Sequence, residues 1–500
     1  MGSGHLRSGW RAATVCLVAL ALGGAARATS YSIATTTDGA VNNGNCTLRE
    51  AIRAANTNLA VDQCPPGGAA DVITLPAGTY SFFGGEETLQ ASTTLEIRGQ
   101  PGLDPSLVVI DLGGVNRFLH QSGGSLTLRG LLVRFGGTPT AGGGALLVDG
   151  APTLVLDHTI FFNCVAGGRG GAVRVYTDGP TVVEIRSSRF ELNAGLESGG
   201  AVDVFGFDTV RANVRDTEFV GNTGSEGVSG IPFGAGLSLQ IRGASEATLT
   251  RCSYDGNTLL ASQSGYGGGA YLRASDQSRI TMTGNRFTGN GGGAASNFNV
   301  EDLYAIVEDT STILLDRLDI SSAEVDRGAF DFEVSVTSYD AASLSLTDSR
   351  LRGVTGSGLH AYASGGVLQL GQLTVAGYAG GKGGWLMTNT GQMSVDNSLF
   401  VFNTTNLDAD PAVSRAHDCP ATGFIPGDFV DAGGGDYRLS HGSLARDIGW
   451  PSLPTQRAND LDHGPRIVGP LPDCGAYEFG GLFADGYEAG DTGDWSARTP

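Results

Sequence analysis

The sequence predicts an all-β protein: a single-stranded parallel β-helix of about 12 or 13 rungs, closed at its N-terminal end by a capping helix. Three observations lead there. Glycine supplies 79 of 500 residues, about twice average usage, yet no Gly-X-Y register persists, which excludes collagen. Apolar residues make up 40% of the chain and recur in short alternating runs, so the chain has enough to bury and should fold. Similar segments also return about every 25 to 35 residues, the period of units that cannot bury their own apolar face and must stack on neighbours.

Taken in order, His5, Arg7 and Arg11 precede an apolar stretch from Ala12 to Leu22 and small residues ending Ala26-Arg27-Ala28. This pattern reads as a secretory signal peptide over residues 1–28. The apolar run is too short to span a bilayer and no later one approaches the required length, so no transmembrane segment is expected. Cys16 lies inside the apolar run behind Val15, where lipidation would want a small residue. In an oxidising compartment the remaining cysteines suggest two local clamps, Cys46–Cys64 and Cys419–Cys474.

Residues 29–70 form an N-terminal cap. Thr47-Leu48-Arg49-Glu50 is a capping box, and Leu48, Ala51, Ile52 and Ala55 fall on one face of the helix it opens. A coil of stacked strands exposes its edge, and this amphipathic helix is the expected lid.

Residues 71–406 carry the rungs. Units begin near Leu126, Leu154, Val183, Ala212, Ala247, Arg279, Thr312, Ser343, Leu368 and Met393. Many open on an alternating strand and reach an aromatic followed three residues later by Asn: Phe190/Asn193, Phe219/Asn222, Tyr254/Asn257, Phe287/Asn290 and Phe400/Asn403. A Gly-Gly-Ala-apolar signature follows, as in Gly170-Gly171-Ala172-Val173 and Gly199-Gly200-Ala201-Val202. Equivalent aromatics should stack inside, Asn should form amide ladders between rungs, and Gly should turn the corners. Cys164 and Cys252 then lie three rungs apart, roughly 14 Å at the strand spacing, too far for a disulfide. Two free, buried thiols are expected.

The run Cys46-Thr47-Leu48-Arg49-Glu50-Ala51-Ile52-Arg53-Ala54-Ala55-Asn56 resembles the CSLREA motif of bacterial secreted right-handed β-helix proteins, with Thr in place of Ser. Asp71-Val72-Ile73-Thr74-Leu75-Pro76-Ala77-Gly78-Thr79-Tyr80 resembles that family's first strand. The Phe-x-x-Asn and Gly-Gly-Ala-apolar repeats are similar to those of polymorphic outer-membrane proteins, whose repeats form adhesive passengers. The resemblance implies a right-handed coil, export, and a place outside the cell or on the surface of a Gram-negative bacterium. Between residues 407 and 480 the pattern changes to a clamped C-terminal segment resembling those that follow such helices in surface-associated proteins. Residues 481–500 form an acidic tail, read either as a sorting motif or as solvated chain.

Acidic residues outnumber basic ones by 51 to 31, a formal charge of −20, so a nucleic-acid backbone would be repelled. No catalytic constellation is evident. Asp157-His158 is the only acid–His neighbour pair within the rungs, and consecutive strand residues point to opposite faces. His441 and His463 fall beyond the rungs, apart from the neighbours that would make them catalytic. Gly67–Ile73 resembles one copy of a Ca²⁺-binding nonapeptide, and acidic loops such as Asp428–Asp436 could bind Ca²⁺ loosely. No metal site and no cofactor are expected.

A binding surface is easier to locate. Aligning strands after Gly-Gly-Ala turns Val173 and Val175 inward and Arg174, Tyr176, Asp203 and Phe205 outward. Tyr176 over Phe205 would make an exposed aromatic step beside an Arg174–Asp203 pair, suited to sugar rings or protein partners. The alternative is that a loop covers the rings and they merely pack. The expectation is therefore a monomeric, exported, non-catalytic protein presenting an extended surface for adhesion or for carbohydrate or protein binding. Two alternatives stand beside it: a polysaccharide lyase or hydrolase with scattered residues, and a structural envelope component.

Overall fold

The computed structural model describes residues 28–480 apart from positions 34, 40–41, 91, 151, 227–230, 261–263, 292–298, 322–330, 421 and 454–455. All of the expected leader except Ala28, and the acidic tail 481–500, lie outside the described residues.

Successive rungs contribute strands to three parallel sheets. The first sheet has 14 strands, from Ser30–Ser32 to Ser414–His417, and the second has 12, from Glu87–Leu89 to Thr405–Ala409. The third also has 12, from Gly78–Ser81 to Leu399–Val401, and a ribbon of five short strands lies between Gly137–Thr138 and Thr258–Leu260. The β-helix is thus present with the expected number of rungs. It begins earlier and ends later than 71–406, because Ser30–Ser32 pairs with Asp71–Leu75 and Ser414–His417 continues the first sheet.

Alternation sets the register. Val183 and Ile185 are fully buried and pair with Ala212 and Val214 on the next rung, so a one-residue slip would turn each apolar column to solvent. In the third sheet the central residue of each strand points inward, and the rings stack in nearly parallel planes. Centroid separations are 5.1 Å for Phe161–Phe190, 5.3 Å for Phe190–Phe219, 4.9 Å for Phe219–Tyr254 and 4.5 Å for Tyr254–Phe287.

The Asn column forms the expected ladder. Nδ2 of Asn193, Asn222 and Asn257 donates to Oδ1 of the next Asn at 3.0, 2.8 and 2.8 Å. Each also donates to a carbonyl of the preceding rung. The Gly-Gly-Ala signature has two separate causes. Gly170 has φ of 69°, in the region favouring glycine, whereas a Cβ on Gly171 would sit 2.0 Å from the Gly200 carbonyl of the rung above.

The N-terminal end is covered. In the helix Leu48–Thr57, the Thr47 hydroxyl accepts from the Glu50 N–H and Glu50 Oε2 accepts from the Thr47 N–H, closing the capping box. Leu48, Ala51, Ile52 and Ala55 are all buried against the first rungs. Arg49 pins the helix in place, donating to Asp38 and Glu87 at 2.7 Å each while its guanidinium lies 3.8 Å from the Phe82 ring centre. The nonapeptide-like turn has a structural use, since Asp71 accepts from the backbone N–H of Gly68 and Thr29.

At the other end the C-terminal segment packs on the outer face of the third sheet. Phe429, Tyr437, Leu439 and Ala476 form a small second core with Ala376, Leu399 and Val401. Its buried tie is Arg466, whose Nη2 lies 3.3 Å from Asp348 Oδ1 on a coil turn.

The cysteines fall as expected. Cys46–Cys64 and Cys419–Cys474 are bonded, with Cα separations of 4.9 and 6.2 Å, while Cys164 and Cys252 are free and buried. The two thiols also occupy different columns. Cys164 extends the Asn ladder, its N–H donating to Asn193 Oδ1, whereas the Cys252 N–H donates to Asn285.

Candidate functional site

The outer face of the second sheet brings the four expected residues together. Arg174 pairs in register with Asp203 and Tyr176 with Phe205, while Val173 and Val175 are buried inside. The Tyr176 and Phe205 rings are stacked, with centroids 5.9 Å apart and planes at 19°. Tyr176 is 44% exposed, so no loop closes over the step.

Two residues missed in the sequence enlarge it. Phe207, 38% exposed, meets Tyr176 edge-on at 5.6 Å and Phe205 at 4.7 Å. Arg174 lies over Tyr176 at 5.3 Å, and Arg242 lies 5.7 Å from both Phe205 and Phe207. The surface is therefore a trio of rings edged by two guanidiniums. Upstream, His120 Nε2 lies 2.8 Å from Asp149, which pairs with Tyr176 in register. Rings with adjacent cations and hydrogen-bonding groups suit the C–H faces and hydroxyls of a sugar.

Asp203 departs from the expectation. It faces outward, as alternation requires, but is fully buried; the turn at Gly199 lies against its side chain, where an added Cβ would come within 2.7 Å. Arg174 Nε is 3.9 Å away. Burial, the larger effect, raises the Asp203 carboxyl above the usual range, against the pull of Arg169 and Arg174. Asp203 supports the floor of the surface instead of meeting a ligand.

A second site was not foreseen. The C-terminal segment meets the third sheet along a cleft of about 460 Å³. Its floor is Arg286, Asp319 and Arg350, paired in register on three successive strands, with Arg317 and Arg352 beside them. The wall is Gly434, Gly435, Asp436, Arg438, Leu461, Asp462, His463 and Tyr477.

Arg350 Nε donates to Asp319 at 2.9 Å, Arg438 Nε to Asp436 at 2.9 Å, and Arg352 to the Gly434 carbonyl at 2.9 Å. Hydrogen bonds from Arg438 hold the Asp436 carboxyl below the usual carboxylate range. Asp462, although an exposed residue, has its carboxyl held high by desolvation first and by Asp460 second. His463 sits in a left-handed turn at the rim, φ 68°. Asp462, Arg438 and Tyr477 share its cleft.

Two further pairs resolve as structure. His158 leaves the strand at a left-handed turn, φ 50°, so the alternation stops at Asp157 and the two side chains meet, Nδ1 to Oδ1 at 2.7 Å. Burial pushes the Asp157 carboxyl up, but hydrogen bonds from Arg186 and His158 outweigh it and leave it below its ordinary value. Ser335 Oγ lies 2.9 Å from His360 Nδ1, and both side chains are buried. Burial lowers His360 to about 4, and its ring packs on Phe332 and Trp385. The contact links neighbouring strands.

Among the described residues no group of three or more His, Cys, Asp or Glu could hold a metal. No helix among them is long and apolar enough to cross a membrane.

No family model matches the chain, and no curated protein matches it in sequence. Solved structures similar at a distance include two polysaccharide lyases. One is a rhamnogalacturonan lyase, at a TM-score of 0.30 and 12% identity, covering 81% of this chain and 91% of that one. The other is pectate lyase Pel9A, at 0.30 and 11%, covering 90% and 96%.

Proposed function

We propose that this chain is an exported, non-catalytic β-helix protein of the CSLREA type, released from or displayed on a Gram-negative cell, whose second-sheet face contacts extracellular carbohydrate. The ring trio of exposed Tyr176 and Phe207 with half-buried Phe205, edged by Arg174 and Arg242, carries this reading. Two disulfides of ordinary Cα separation are compatible with an oxidising compartment. A rigid coil presents such rings at little entropic cost, since their positions are fixed by strand register.

Calorimetric titration against a panel of neutral and acidic oligosaccharides tests it. Binding of neutral members should appear and should weaken about fivefold or more in the Tyr176→Ala/Phe207→Ala variant, from the loss of two ring contacts. A panel with no binding, alongside no attachment to cells, would leave a purely structural envelope role.

A second reading, polysaccharide cleavage, is favoured by one observation: the cleft gathers Arg286, Asp319 and Arg350 on adjacent rungs with Asp436, Asp462 and His463 opposite. Assays for new reducing ends and for unsaturated products separate the two. Robust turnover would replace the non-catalytic reading.

A further inference from the structure

We infer that the cleft between the third sheet and the C-terminal segment is a binding site for the carboxylate of an acidic sugar, with Arg286 as the anchoring cation. The first argument is charge. The chain has 51 acidic against 31 basic residues, yet among the described residues the cleft is lined by five arginines and three aspartates. A concave site of the minority sign on an acidic protein concentrates anions locally.

The second argument is the ladder. Arg286, Asp319 and Arg350 follow one another in register, two guanidiniums to one carboxylate. Arg350 takes Asp319 through both Nε and Nη2, and Arg438 likewise occupies Asp436. Arg317 is tied through Nε to Asp316 at 3.2 Å. Arg286 is exposed and has no carboxylate partner among the described residues. Its planar fork is free to take an external carboxylate bidentately.

The third argument is the remaining lining. Among the described residues, Leu461 is the only aliphatic side chain in the cleft; the rest is charged, amide, imidazole or phenol, or the backbone of glycines. Such walls match hydroxyls better than an apolar body. Asp436 and Asp462 can accept from sugar hydroxyls while disfavouring a dianion, which selects a singly charged carboxylate over phosphate. The volume lies within the range of small-ligand sites. The inference concerns a different sheet from the ring trio and stands or falls separately from it.

The test titrates the full chain with trigalacturonate, its neutral galactose counterpart and inorganic phosphate, at low and at high NaCl. The expected result is binding of the uronate at low salt, weakened by added salt, with the neutral sugar and phosphate each at least about tenfold weaker. Arg286→Gln, which removes no internal ion pair, should weaken uronate binding about tenfold or more. Phosphate binding as tightly as the uronate would overturn the assignment in favour of a general oxyanion site. Absence of uronate binding, or equal binding by Arg286→Gln, would overturn the site itself.

Discussion

Replacing Asn222 with Ala would test whether the interior ladder holds the rungs together. Asn222 is fully buried and makes four side-chain hydrogen bonds. Its Oδ1 accepts from the backbone N–H of Asn193 at 2.9 Å and from Asn193 Nδ2 at 3.0 Å. Its Nδ2 donates to the Phe190 carbonyl at 2.9 Å and to Asn257 Oδ1 at 2.8 Å. At about 0.5–1.5 kcal/mol net for each bond, the loss is about 2–6 kcal/mol.

Some neighbours retain partners. Asn193 Nδ2 keeps the Phe161 carbonyl and Asn257 Oδ1 keeps the Asn222 N–H, but the buried Asn193 N–H loses its acceptor. We therefore expect a destabilisation of about 3–5 kcal/mol. Because stacked rungs can open locally, native-state hydrogen exchange at Asn193 and its neighbours is the suitable assay, with thermal melting alongside. Asn213→Ala, at an exposed position on the same rung, serves as control and should fall within about 0.5 kcal/mol of wild type. If Asn222→Ala behaved like that control, the ladder would contribute nothing to cohesion and the reasoning would fail.

Other outcomes follow from the same structure. Burial raises Cys164 and Cys252 to about 12 each, so neither thiol should react with a disulfide reagent in the native protein at pH 8, and both should react after denaturation. A raised thiol pKa adds stability that is lost as pH climbs from the unfolded value near 8.5 toward about 12, and melting temperature should drop across that window. Burial, the leading cause in each case, raises Asp348 and Glu478 to about 7. Their contribution is full below the unfolded carboxylate values and lost as pH rises through about 7, so wild type should melt higher at pH 5.5 than at pH 7.5; Asp348→Asn/Glu478→Gln should flatten that difference, and a slope of the opposite sign would contradict it. Removing the Cys419–Cys474 bond, which spans 55 residues, frees up to about 4 kcal/mol of loop entropy in the unfolded segment; limited proteolysis should then cut the C-terminal segment first and leave the coil resistant.

The interior was readable because its rule is local. Five rungs repeat the aromatic and the Asn at one spacing, so Phe190, Phe219 and Asn222 could be assigned to columns without knowing the coil's diameter. Tyr176 and Phe205 were found by the same parity. Phe207 and Arg242 were not, because each follows the end of its strand, Val202–Gly206 and Leu237–Ile241, where alternation no longer dictates direction. The burial of Asp203 depends on the turn at Gly199, which strand parity does not describe.

The cleft was hidden for a different reason. It joins rungs near residues 286–352 to a segment beyond 434, as in the contact of Arg352 with Gly434, and no repeat links those stretches. One sign lay in plain sight: the residue before the inward side chain reads Arg286, Asp319, Arg350 on consecutive rungs. Counting charges along that outward column would have shown an arginine without a partner.

The decisive question is whether the second-sheet face holds carbohydrate on its rings. A crystal structure of the chain with the tightest-binding neutral oligosaccharide answers it. A sugar ring should lie flat against Tyr176 with Phe207 at its edge and Arg174 or Arg242 on its hydroxyls. Sugar bound elsewhere at full occupancy, with Tyr176 and Phe207 bare, would contradict it.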